Sequence, residues 1–293
     1  MLDSSTIILT LIWGLAIGSI YVLLATGLNL IFGVMKLVNF AHGELLVFGA
    51  YIGFSISTAL SIDAYTSILF AMGLVALIGV VVERLVFRRV LGDEKLKEIF
   101  VSLGLILIFD NAAMLIWGEK SQRIISPFSN SSLKLPGLSI AIPYDLLVAM
   151  LLVVFILISL MFLIKRTKIG LAMRATSQNR ETSMLMGINV EQVYVITFAL
   201  GAALAGAAGV LYGMSFNFSP YIGSFPTIKA FAIIILGGLG SIPGAIVGGL
   251  LYGLAEQITG TYIGGNWSDA IAFAVLIIVL VFRPKGLFGE REN

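Results

Sequence analysis

The sequence predicts an all-α, polytopic transmembrane helix bundle with about eight to nine membrane segments, one pair of them short or broken. Three observations predict it. Of 293 residues, 59% are hydrophobic. Only 12% are charged, against ~25% in soluble domains. The apolar residues also fall in runs near the ~20 that a helix needs to cross ~30 Å of hydrocarbon. Mean hydropathy is +1.04. A soluble fold needs charged residues to cover its outside, and this chain lacks them. An ordinary soluble enzyme, a disordered chain and a nucleic-acid binder are excluded on composition. Cysteine is absent, which removes disulfides and thiolate chemistry, and a single histidine argues against a histidine-based catalytic metal site.

The candidate spans, in order, are 6–34, 40–60, 64–82, 99–117, 141–164, 193–213, the unusual stretch 229–256, and 269–282. The first is long, and Gly27, Asn29 and Gly33 are expected to break or tilt it. Residues 1–5 carry no basic leader, so this span is expected to stay as an anchor. Stretch 229–256 contains Gly237-Gly238-Leu239-Gly240-Ser241-Ile242-Pro243-Gly244, and a proline among so many glycines cannot continue a helix. Two helices meeting at a turn near the inner side are expected there, either re-entrant or as two short crossings. Backbone broken at membrane depth is tolerated only inside protein or beside a cavity. No linker divides the chain, so 1–293 reads as one membrane domain. Gly43 to Gly53 and Gly240 to Gly253 are both glycine-punctuated apolar starts, a faint echo of the inverted repeats of transporters.

Lys and Arg set the orientation. Fourteen of the 18 lie in 83–98, in 165–180, in the tail (Arg283, Lys285, Arg291) or at Lys36, leaving Lys120, Arg123, Lys134 and Lys229. Placing the larger set in the cytoplasm puts the N-terminus outside and the C-terminus inside, which requires an odd number of crossings. Counting the broken stretch as two crossings, or as a re-entrant pair, satisfies that parity.

Three constellations stand out. Asn39-Phe40-Ala41-His42-Gly43-Glu44 opens the second span. Asn39 reads as an N-cap sharing one helix face with His42 and Gly43, with Glu44 near the positive end of the dipole. The same residues could instead line a pathway, since polar groups in hydrocarbon are costly. The loop 165–192 contains a short helix expected between Ser177 as N-cap and Gly187 as the residue that ends it. Met184, Leu185 and Met186 are consecutive apolar residues on that helix, and such a cluster suits a protein partner better than a lipid surface. The glycine stretch has Gly240, Gly244 and Gly248 at four-residue spacing, like Gly201, Ala205, Gly209 and Gly213, which allows close helix approach. A half-helix beginning near Gly244 would aim free N–H groups into the bundle. Asn29, Asp110-Asn111 and Glu256-Gln257 are further polar groups within spans. No carboxylate relay and no G-x-x-x-x-G-K-[ST] phosphate loop is visible, so the chain should not hydrolyse ATP itself.

The chain resembles the permease subunit of bacterial branched-chain amino-acid ABC importers, the Liv type. The resemblance is carried by 27–33 (GLNLIFG), 39–44 (NFAHGE), 186–189 (MGIN), 220–223 (PYIG), 237–245 (GGLGSIPGA) and 283–289 (RPKGLFG), and covers nearly the whole chain. Length and order are closer to the shorter of the two permease types. The resemblance implies a bacterial inner-membrane importer in which this subunit forms the pathway by alternating access. It implies a homologous second permease subunit, in a heterodimer, two cytosolic ATPase subunits that bind ATP and Mg, and an extracytoplasmic solute-binding protein. No cofactor is expected in this chain and no nucleic acid. Glu181-Thr182-Ser183 followed by Gly187 matches the family's E-A-A-x-x-x-G coupling core, with Thr182 and Ser183 replacing alanines and the following I-x-L-P missing. Arg174, Asn179, Glu181, Met184, Leu185 and Gly187 are the expected ATPase-coupling residues. Asn39, His42, Glu44, Gly240 and Gly244 are the pathway candidates. A permease of the same class for urea, an amide or a sugar, and an ion-coupled transporter or channel acting alone, are the alternative functions.

Overall fold

The computed structural model describes residues 4–92, 94–129, 131–135 and 140–289. Residues 1–3 of the start, Asn130 and residues 136–139 of the expected outer loop, and Arg291 of the tail lie outside these.

Helix α1 (Ser4–Met35) is one unbroken helix of 32 residues. The expected break at Gly27, Asn29 or Gly33 does not occur. Neighbouring helices fill the space above these small residues, so the helix gains packing where it loses intrinsic propensity. A Cβ on Gly27 would lie 2.7 Å from the Gly201 carbonyl oxygen, and one on Gly201 would lie 2.8 Å from that of Gly27. Only glycine at both positions permits that approach.

Residues 36–41 turn back into the bundle before α2 (His42–Ala59) begins. Next come α3 (Ala64–Val82), a π-helical turn (Glu83–Phe87) and α4 (Arg88–Val90). The π turn carries buried Glu83 into contact with Arg88, 3.4 Å away, and Arg88 also reaches Glu191 at 3.3 Å. Helix α5 (Lys95–Trp117) leads to an antiparallel hairpin, β1 (Ser132–Leu135) and β2 (Ile140–Pro143), in register Ser132↔Pro143 to Leu135↔Ile140. The sequence reading had not anticipated this hairpin. Helix α6 (Tyr144–Arg166) returns to the opposite end, where α7 (Lys168–Gln178) and α8 (Arg180–Leu185) lie. Helix α9 (Val190–Ser215) goes back toward the hairpin, and Phe218 beyond it bridges Gln122. Helices α10 (Ser224–Gly237), α11 (Ile242–Tyr262) and α12 (Gly265–Phe282) complete the bundle.

The architecture is two-shelled. Helices α1 and α9 are the most buried and form the centre, with α11 antiparallel to α1 along its length. Helices α5, α6 and α12 are peripheral and expose apolar side chains such as Leu107, Leu115, Phe155 and Val281. A helix apolar all round and exposed on its outer side is one that hydrocarbon surrounds. By length and apolarity, six helices among the described residues can cross a membrane, or seven if the α10–α11 pair is one bent span. The eight to nine segments expected from sequence also include α2, and they separate α10 from α11.

The basic segments gather at one end. Lys95 Nζ donates to the Lys36 carbonyl at 2.8 Å, and the Leu287 N–H to that of Leu236 at 2.9 Å. Lys134 lies on β1, and Lys120 and Arg123 precede the hairpin, at the other end.

Candidate functional site

Several fully buried polar groups converge on the start of α2. His42 packs against α1, where a Cβ on Gly27 would lie 3.1 Å from its Nε2. Gly27 is eight residues from the end of α1, so His42 sits about 12 Å inside the bundle. Helix α2 therefore begins well inside the bundle. Its first turn faces the first turn of α10: the Gly43 N–H donates to Thr227 Oγ1 at 2.8 Å, and Gly43 packs on the Gly223 carbonyl. Glu44 lies against Gly223 and its carboxyl meets that of Asp110 on α5. Asn39, His42 and Glu44 are almost fully buried, and Glu44 Oε1 has no hydrogen-bond partner among the described residues. The His42 ring turns toward the Leu24 carbonyl without a well-formed hydrogen bond.

One sequence expectation is corrected here. Asn39 is neither the N-cap nor on the helix. Ala41 holds the cap position, and Asn39 Oδ1 instead accepts from the Ala41 N–H at 3.0 Å, which folds the 36–41 segment onto itself. Helix α2 starts later because the chain must first climb back into the bundle.

The second centre is the break between α10 and α11, which meet at 119°. Gly238 (φ 108°) and Gly240 (φ 83°) take conformations that other residues resist. The half-helix begins at Ile242 rather than Gly244, because Ser241 caps it, its Oγ accepting from the Gly244 N–H at 3.2 Å. Gly244 instead packs on Gly237 of α10. Asn29 of α1 holds the break from both sides. Its Nδ2 donates to the Ser241 carbonyl at 2.8 Å, and its Oδ1 accepts from the Gly240 N–H at 2.7 Å. Gly240 meets α1 at Asn29 and Gly33, whereas His42 meets it at Gly27 and Glu44 lies against Gly223, and no contact among the described residues joins these two groups of pathway candidates directly. A cavity of about 690 Å³ opens beside the break.

A third cluster was not assembled from the sequence. Lys229 of α10 contacts Glu256 of α11 and Asp269 of α12, both at 2.8 Å. Tyr21 of α1 donates to Glu256 Oε1 and accepts from Lys229, both at 3.3 Å. Lys229 is 12% exposed and Glu256 18%. The detectable signal was Lys229 within an apolar run, with two carboxylates downstream to neutralise it.

At the far end lie the residues of the predicted coupling loop. One nine-residue helix from Ser177 to Gly187 was expected. Instead α7 runs through Ser177, whose hydroxyl donates back to the Arg174 carbonyl, and Asn179 separates it from α8. The caps explain the division. Thr167 accepts from the Gly170 N–H, and Asn179, in extended backbone, accepts from the Thr182 N–H at 2.9 Å. Gly187 (φ 82°) ends the unit, its N–H reaching Met184. Arg174, Asn179 and Glu181 are exposed, as are Met184 (47%), Leu185 (87%) and Met186 (78%). Arg180 stacks over Tyr194 at 5.9 Å and fixes α8 to α9.

Nested apolar helices around a buried polar centre, with two helices starting or breaking inside the bundle, define a multi-pass membrane protein of transporter type. Comparisons with known proteins give the family. Residues 10–280 match the family described as branched-chain amino acid transport system / permease component, and the chain belongs to it. It is 35% identical to the high-affinity branched-chain amino acid transport system permease protein BraD of Pseudomonas aeruginosa, over 96% of this chain and 95% of that one. It is 33% identical to the permease protein LivH of the corresponding system in Escherichia coli, over 95% and 94%. Among solved structures, PsaBC from Streptococcus pneumoniae in complex with Fab shares the fold, with a TM-score of 0.52 at 14% identity, covering 96% of this chain and 92% of that one. Within the described residues no group of three or more His, Asp and Glu side chains could hold a metal ion.

Proposed function

We propose that the chain is the membrane permease subunit of an ATP-driven importer for branched-chain or other neutral amino acids, and that it carries no ATP hydrolysis of its own. Its family and relatives support the solute class. The observation that carries the mechanism is the Met184–Leu185–Met186 cluster, displayed on a two-helix unit at the basic end. Three exposed apolar residues there need a partner surface.

In this reading the α7–α8 end is cytoplasmic and the hairpin end extracytoplasmic, as the distribution of Lys and Arg favours. Nine passes then connect the ends: α1, α2, α3 with its extension, α5, α6, α9, α10, α11 and α12. An odd number leaves the N-terminus outside and the C-terminus in the cytoplasm. Two cytosolic ATPase subunits, carrying ATP and Mg, grip the unit through Arg174, Asn179, Glu181, Met184 and Leu185, with Gly187 shaping its end. Their closure moves α7 and α8. Because α7 follows α6 directly and α8 is tied to α9 through Arg180 and Tyr194, the push reaches the central helices. A homologous second permease subunit completes the pathway, and a solute-binding protein delivers substrate at the hairpin end, where Lys120, Arg123 and Lys134 steer its approach.

The transported molecule is a zwitterion. The buried Glu44 suits its ammonium group, and the positive end of the α2 dipole, beside Asn39 and His42, suits its carboxylate. Gly240 and Gly244 let the α10–α11 break flex as the pathway alternates. Replacing Met184 and Leu185 with Asp tests the docking surface: the ATPase should be lost on co-purification and uptake should fall to background. Normal values of both contradict the reading.

A further inference from the structure

The cavity beside the α10–α11 break gathers a set of cations of which the proposed coupling role accounts only for Arg174. Lys36 follows the end of α1, Lys165 sits in the last turn of α6, and Arg174 projects from the middle of α7. All three line the same cavity of about 690 Å³, and no carboxylate does. None of them has a carboxylate within ion-pair distance among the described residues. The first turn of α11 also opens onto it, through Ser241 and Ile242, so the positive end of a 21-residue helix adds to the field. Cations near the ends of α1 and α6 are individually expected, since helix C-termini favour them. Their convergence with Arg174 and an α11 N-terminus on one cavity is not.

The cavity is also two-sided. Val34, Met161 and Ile164, from the last turns of α1 and α6, give it an apolar wall. Lys36 adopts φ 54°, a conformation glycine would take without strain at the end of a helix. The site keeps a lysine there.

We propose that this cavity binds the phosphate headgroup of an anionic phospholipid of the inner leaflet, its acyl chain lying along the apolar wall. Orientation rests on the cytoplasmic placement of the α7–α8 end argued above. A bound lipid here would touch α1, α6, α7 and the start of α11 together, and so would tie the coupling unit to the break. A free phosphate would satisfy the cations but leave the apolar wall without an occupant.

The test reads lipid retention directly, so it stands apart from any failure of uptake. The full chain is purified in mild detergent, stripped, and re-exposed to phosphatidylglycerol, phosphatidylcholine or inorganic phosphate, and bound lipid is counted by native mass spectrometry. Saturable retention of phosphatidylglycerol, not displaced by phosphate and about tenfold above phosphatidylcholine, is expected. K36Q/K165Q should lose that preference. K36R/K165R, and R166Q/K168Q outside the cavity lining, should keep it. Equal binding of both lipids to the unaltered chain, displacement by inorganic phosphate, or equal loss in both neutral double variants overturns the proposal. If K36Q/K165Q does not fold, the first two comparisons on the unaltered chain still decide it. Retained lipid preference in K36Q/K165Q with loss of bound ATPase would assign the cavity to the ATPase instead.

Discussion

At the scale of single residues, two side chains hold otherwise unsatisfied groups. Asn29 was visible in the sequence only as a polar residue in an apolar helix; its partners are more than 200 positions away, at Gly240 and Ser241. Replacing it with Leu removes both bonds and leaves the Gly240 N–H and the Ser241 carbonyl, which line the cavity, without these partners, a cost of about 1–2 kcal/mol. A clear drop in the melting temperature in detergent should follow. Lys229 neutralises Glu256 across two helices. Lys229→Met should destabilise by about 3 kcal/mol by leaving a partly buried carboxylate without its counter-charge. K229M/E256Q should recover much of that loss, and thermal unfolding of the three variants measures it. Asn39, His42 and Glu44 were identifiable from their residue types in an apolar setting. That Asn39 closes a turn instead of capping a helix was not, because the climb of 36–41 into the bundle is a tertiary event.

At the scale of elements, hydrophobic runs located α3, α5, α6, α9 and α12 within a few residues, since a buried or lipid-facing helix leaves little polar signal to confuse it. The α10–α11 break was legible too, because proline and glycine act through the local backbone. The hairpin was missed among short polar and apolar residues near Pro136 and Gly137. The unbroken α1 was missed because its glycines serve neighbours rather than bends. Close approach at Gly43 gives a sharp prediction. An alanine Cβ there would strike the Gly223 carbonyl and Thr227 Oγ1, atoms that hold the first turns of α2 and α10 together. Gly43→Ala should abolish uptake, while an exposed change such as Gly73→Ala, with open space around it, should not. In the α7–α8 unit, Asn179→Ala removes the α8 cap and should cost about 1 kcal/mol of local helix stability. Faster amide exchange confined to 180–187 would show it.

At the scale of the whole molecule, the chain presents a buried polar centre, a break between α10 and α11 and an exposed apolar cluster on α8, and its sequence shows no phosphate loop. In the proposed reading, its work is driven by ATPase partners. Composition alone established the membrane bundle, and motif order pointed to the family, while the depth at which α2 begins emerged only from packing. The most direct measurement is uptake of a radiolabelled branched-chain amino acid into proteoliposomes, with the chain reconstituted alone and with its second permease, ATPases and binding protein. Accumulation against the gradient only in the full assembly, and only with ATP, is the predicted result. Uphill accumulation by this chain alone, driven by an ion gradient, would contradict the account.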